Sequence, residues 1–143
     1  MGRWRWLLGI LGLAIYSSLA TWSRSAYDDP YARGRLVVRL ERPFEQLGPS
    51  RFGVVARSWT TDIQLGDANS VQDLTRSTMV IYEDGRLLGP AHSTHTDVAQ
   101  IGMGRFSHWQ GQGFGQGQGF AFSASDNSDP NSNRRTYWAV LPR

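Results

Sequence analysis

Downstream of Trp22 the chain never sustains an apolar i, i+3, i+4 pattern over three helical turns; its hydrophobic residues come in short runs cut by glycine, proline and Asx residues. Leu36, Val38 and Leu40 alternate with Val37, Arg39 and Glu41, the period of two of a half-buried strand, and Pro43 ends it. Residues 52–59 and 78–83 repeat the signal, the second run being rich in β-branched and aromatic side chains. Asp84-Gly85 then predicts a two-residue hairpin turn, because primed turns need positive φ and these two residues tolerate it. Residues 86–88 form the returning strand, and 105–109, 119–125 and 135–141 complete the set. Residues 96–101 have room for a single helical turn. The expected fold is all-β, an antiparallel sandwich or jelly-roll-like domain of about seven short strands, preceded by one N-terminal hydrophobic helix.

That helix is expected from residues 1–22. Arg3 and Arg5 precede an uncharged apolar run from Leu7 to Trp22, 16 residues long, at the upper edge for a secretory signal and slightly short for a span needing roughly 20. Ser18 and Ala20 occupy the small-residue places of a cleavage site before Thr21. Signal peptide and single membrane anchor both remain open, and either carries the remainder across the cytoplasmic membrane. Residues 23–34, with Asp-Asp-Pro at 28–30, read as a linker, and 35–143 as one domain. The absence of cysteine excludes a disulfide framework, a thiolate nucleophile and any sulfur-bound zinc. An exported domain of this size must therefore be held by its sheet core alone. All 15 basic residues are arginine, but no short window is dominated by them, so a nucleic-acid partner is not expected.

Two loops break the rhythm. Residues 60–77 are long and polar, carrying Asp62, Asp67, Asn69, Asp73 and Arg76. Residues 110–119 are a glycine and glutamine repeat with too little apolar surface to pack. Neither lysine-serine nor a helix follows that repeat, so it does not read as a phosphate cradle.

The residues able to carry chemistry fall into two clusters. His92, His95 and His108 could ligate zinc if a turn joined the first two and the next strand supplied the third; the alternative is hydrogen-bonding loop histidines. Asp129, Asn131 and Asn133 have the alternate-residue spacing of a calcium loop, but Arg134 stands in place of its turn glycine and Val140 in place of its bidentate glutamate. The alternative there is an Asx-rich turn in which short side chains bond nearby amides. Aromatic faces beside Asp, Asn and Arg also suit a sugar, which makes His108, Trp109, Asp126, Asn127, Asp129 and Asn131 the expected ligand-binding set at one end of the domain. One of Tyr137 and Trp138 must face inward if the last strand has one buried side. A Ser-His-Asp arrangement could draw on Ser107 or Ser123, His108 and Asp126, but no G-x-S-x-G elbow is present. The chain is expected to be no enzyme and to need no cofactor.

The wording of the C-terminal half adds a resemblance. Tyr82-Glu-Asp-Gly-Arg-Leu-Leu-Gly-Pro90, His92 and His95, Gly104-Arg-Phe-Ser-His-Trp109, and Phe122-Ser-Ala-Ser-Asp-Asn-Ser-Asp-Pro-Asn131 with Asn133, Arg135 and Tyr137 resemble a poorly characterised bacterial cell-envelope domain found with membrane glycosyltransferases and surface-polysaccharide proteins. The chain departs from that pattern in the tract after Trp109 and in Arg134, where the resemblance leads one to expect glycine; a turn with positive φ there would be strained. The resemblance implies a cell-envelope setting and, more loosely, glycans. The expected function is an exported or membrane-anchored, non-catalytic accessory or binding module, with a cell-surface glycan or a membrane protein complex as partner. The alternative is a small single-span structural subunit of a larger membrane complex.

Overall fold

The structure, a computed structural model, describes residues 12–19, 34–57, 65–111 and 118–143. Residues 12–19 are helical (α1) and exposed; they fall inside the apolar run, whose other residues, like most of the linker, lie outside the described residues. No helix among the described residues is long and apolar enough to cross a membrane.

The rest is mostly β, in two antiparallel sheets of four strands. In chain order the elements are β1 (Gly34–Leu40), β2 (Glu45–Gln46), β3 (Val54–Arg57), β4 (Val80–Glu83), β5 (Arg86–Leu87), α2 (His95–Gln100), β6 (Phe106–Gln110), β7 (Gln118–Phe122) and β8 (Tyr137–Pro142). One sheet runs β1-β8-β4-β5 and the other β2-β3-β7-β6. The C-terminal strand β8 therefore sits between β1 and β4, with Leu40 opposite Tyr137 on one side and Glu83 opposite Tyr137 on the other.

Seven of the strands fall on the segments expected from the sequence, and β4 and β5 join through Asp84 (φ 45°) and Gly85 (φ 80°), the positive-φ pair that a two-residue hairpin requires. The eighth is β2. Two exposed polar residues give no periodicity to read, and Glu45–Gln46 becomes a strand only because it pairs with Val54 and Val55. Along β1 the predicted alternation holds, with Leu36, Val38 and Leu40 inward and Arg39 exposed. On β8 Tyr137 is buried, while Trp138 lies under the Arg39 guanidinium, 5.9 Å from its ring centre.

Side chains of both sheets join one buried cluster, including Leu40, Phe44, Val54, Ile81, Phe106, Phe120, Phe122 and Tyr137. Phe122 meets Phe44 edge-on at 5.1 Å and Tyr137 at 4.9 Å. Each such fully buried apolar side chain contributes roughly 1.5 to 3 kcal/mol, which is what replaces the missing disulfides. The edge of β6 is covered by the long polar loop: the Asn69 amide donates to the His108 carbonyl at 2.9 Å, and the Gln110 amide to the Asn69 carbonyl at 3.0 Å. Trp59, residues 60–64 of that loop and residues 112–117 of the glycine-glutamine tract lie outside the described residues.

Candidate functional site

Residues 123–136 link β7 to β8, and their short polar side chains build the turns that carry them. Asp126 Oδ1 accepts from the Ser128 amide at 3.1 Å and its hydroxyl at 2.7 Å; Asp129 Oδ1 accepts from the Asn131 amide at 2.9 Å. These are successive Asx turns, in which a carboxylate two residues back substitutes for a backbone acceptor. The same loop is fastened to the core at three places. Asn131 clamps the Phe44 backbone, accepting from its amide at 2.7 Å and donating to its carbonyl at 3.0 Å. Asn133 donates to Ser128 Oγ at 3.0 Å and to the Tyr137 hydroxyl at 2.7 Å, while its oxygen accepts from Arg42 and from the Arg135 amide. Asn127, at φ 63°, accepts from the Met103 amide and donates to the Ile101 carbonyl, closing off the end of α2.

At the base of the loop lies Glu83, 3% exposed. Its carboxylate accepts from the Tyr137 hydroxyl at 2.9 Å, the Ser125 amide and hydroxyl, and Arg135 at 3.2 Å. Arg135 reaches on to Asp126 through two bonds of 2.9 and 2.6 Å. Hydrogen bonds from Arg135 first, then Ser128, hold the Asp126 carboxyl well below the usual carboxylate range, and Asp126 and Glu83 in turn hold the Arg135 guanidinium above its ordinary value. Burial first, reinforced by Glu83 and opposed by Asn133, pushes the Tyr137 hydroxyl above the ordinary phenol range. A buried carboxylate supplied with this many donors is a structural node, since each donor offsets part of its desolvation.

The expected ligand-binding set is thereby divided. Asn127, Asp129 and Asn131 line a groove of about 530 Å³, whose other wall is the turn between β2 and β3 with Arg51, Phe52 and Gln46. Asp126 is not part of that lining; it is bound to Arg135 beside it. His108 is 1% exposed and its ring is stacked on Phe120 at 4.6 Å, with Nδ1 2.8 Å from Ser77 Oγ. Trp109 lines a separate cavity of about 180 Å³ with His92, His95 and Leu74, where its ring meets His95 edge-on at 5.3 Å. Comparison of the chain with protein-family models, with curated proteins and with solved structures finds no match.

The two metal sets are placed as follows. Among the described residues no group of three or more His, Asp or Glu side chains is arranged to hold a metal ion. His108 is turned to Ser77, and His92 Nδ1 accepts from the Asn69 side-chain amide at 3.2 Å. In the second set Asn131 and Asn133 spend their side-chain oxygens on Phe44, Arg42 and Arg135, and both Asp129 oxygens accept from their own turn. The candidate triad does not form a hydrogen-bonded chain: His108 meets Ser77, Ser123 meets the Arg105 carbonyl at 3.4 Å, and Asp126 meets Arg135.

Sequence reasoning missed the groove's first wall. Gln46, Ser50 and Arg51 follow no motif, and Phe52 is legible only as the first residue of the strand expected over 52–59. The wall is nonetheless fixed. Ser50 Oγ donates to the Gly53 carbonyl, Gln46 donates to the Ser50 carbonyl at 2.8 Å, and the Arg51 and Phe52 amides both donate to the Ala99 carbonyl of α2. Asn69 was legible only as a polar loop residue, although it is fully buried and joins Ser77, Ser107 and His92.

Proposed function

We propose that the chain is an exported or membrane-anchored, non-catalytic binding module of the cell envelope, its sheets packed as a sandwich, with a glycan held in the groove between the β2–β3 turn and residues 127–131. The observation that carries this reading is the groove itself. Its volume of about 530 Å³ lies in the range of ligand sites, and both walls are fastened to the core by the hydrogen bonds described above. Rigid walls spare a ligand the entropy of ordering them. Phe52 supplies apolar surface for the carbon face of a sugar, while Gln46 and Arg51 supply donors and acceptors for hydroxyls. In support of a non-catalytic role, Ser77 and His108, a hydroxyl paired with an imidazole, are buried together and do not line the groove. The apolar run of residues 7–22 supports export.

A glycan array probed with the full-length protein tests this directly. Binding that is lost in Phe52→Ala, with the circular dichroism spectrum unchanged, is the expected result. An array with no signal above background, from protein that melts cooperatively, would remove the glycan reading and favour the structural-subunit alternative.

A further inference from the structure

We infer that the groove selects acidic saccharides, with Arg51 pairing with their carboxylate or phosphate; the inference rests on the glycan reading above and adds the charge class of the ligand. The argument is an inventory of the arginines. Arg39, Arg57, Arg76 and Arg135 are each bound to a carboxylate. Arg42 is occupied by the Pro130 and Arg135 carbonyls and Asn133, and Arg105 donates to the Gly102 carbonyl. Arg51 lies in the groove wall with its guanidinium 5.1 Å from the Phe52 ring and has no carboxylate within ion-pair distance among the described residues. Among the described residues Arg35, Arg86, Arg134 and Arg143 have no carboxylate partner either, but none of them lines the groove.

Stacking on an aromatic ring orients a guanidinium and leaves its in-plane donors free, the geometry that recognises a planar or tetrahedral oxyanion. The backbone beneath is equally fixed, since the Arg51 and Phe52 amides share the Ala99 carbonyl. One carboxylate, Asp129, lies in the opposite wall. Hydrogen bonds within its own turn, from the Asn131 amide at 2.9 Å and the Ser132 hydroxyl at 3.1 Å, occupy its oxygens without cancelling its charge. Of the two ionised side chains that line the groove, Arg51 is therefore the one with hydrogen-bonding atoms to offer a ligand. A saccharide with an acidic group beside an apolar ring face satisfies both Arg51 and Phe52 at once.

The test is isothermal titration of the full-length protein in detergent micelles with an oligogalacturonate, a neutral oligosaccharide of equal length, and inorganic phosphate. Wild type is compared with Arg51→Gln and with Arg86→Gln, a change on β5 outside the groove lining. The expected result is uronate binding at least tenfold tighter than neutral binding, weakened at least tenfold in Arg51→Gln and by raised salt, and unchanged in Arg86→Gln. Equal affinity for the neutral and acidic oligosaccharides, unaffected by Arg51→Gln, overturns the charge selection while leaving the glycan reading intact. No binding of either removes both. Phosphate that competes as well as the oligosaccharide moves the site to a free oxyanion and likewise overturns the proposal.

Discussion

Burial of His108 makes the stability of the fold depend on pH. Its ring is stacked on Phe120 and its Nδ1 is hydrogen-bonded to Ser77 Oγ, which also accepts from the Met79 amide. Desolvation, opposed in part by the Gln118 side chain, lowers the pKa from 6.5 to about 4. Between those values the unfolded chain takes up a proton that the folded chain does not, so stability is full above the unfolded pKa and falls as pH drops through 6.5 toward 4. The complete interval of about 2.5 units corresponds to roughly 3 kcal/mol; from pH 7 to pH 5 the binding polynomials give a loss of about 2 kcal/mol. His95, lowered by burial as well, adds a contribution of the same sign. Urea unfolding at half-unit intervals from pH 7 to pH 5, with m held constant, measures the slope. His108→Gln should flatten it by the share of one proton even though the variant starts from lower stability, and His95→Gln should leave most of it. A wild-type curve flat over this range, or an unchanged slope in His108→Gln, would refute the reasoning.

Three further outcomes follow from the loop between β7 and β8. Glu83→Ala strips the acceptor from Tyr137, Ser125 and Arg135 inside the core and should cost about 3 kcal/mol or more; a loss under about 1 kcal/mol in urea melts would contradict its role as a node. Asn131→Ala leaves the Phe44 amide and carbonyl without the side chain that meets them and should cost about 2 kcal/mol, read as a lowered urea midpoint at constant m. Arg134 sits at φ 61°, so Arg134→Gly should raise stability by about 0.5 to 1 kcal/mol, the relief of a left-handed β-carbon less the entropy of glycine; calorimetry showing a lower Tm would reject the strain.

The first strand was legible because a half-buried strand writes its burial into alternation: Leu36, Val38 and Leu40 sit on one face for the reason that the pattern says they must. The hairpin was equally legible, since few residues other than Asp84 and Gly85 accept the dihedral angles found there. Arg134 shows the same logic in reverse. An arginine carries no local mark of a left-handed backbone, yet its φ is 61°. What stayed hidden was pairing that no local pattern marks. Nothing local to Glu45–Gln46 reveals β2, and nothing local to Asn131 reveals that its amide will clamp Phe44, 87 residues away.

The polar loop carries a more general consequence. Asp126, Asn127, Asp129, Asn131 and Asn133 looked like ligand groups because ligand sites and self-built turns draw on the same short, oxygen-rich side chains. The deciding quantity is how many of their lone pairs and protons the fold already uses, and here the turns, Phe44, Arg42, Tyr137 and Arg135 take them. A distinctive wording can therefore be the signature of a scaffold, whose particular turns tolerate few replacements. In the proposed glycan site the chemistry offered outward falls to Arg51 and Phe52, placed by the backbone bonds of an inconspicuous turn. Substitutions in the loop should therefore be read first in melting curves, and substitutions at Arg51 and Phe52 first in binding isotherms.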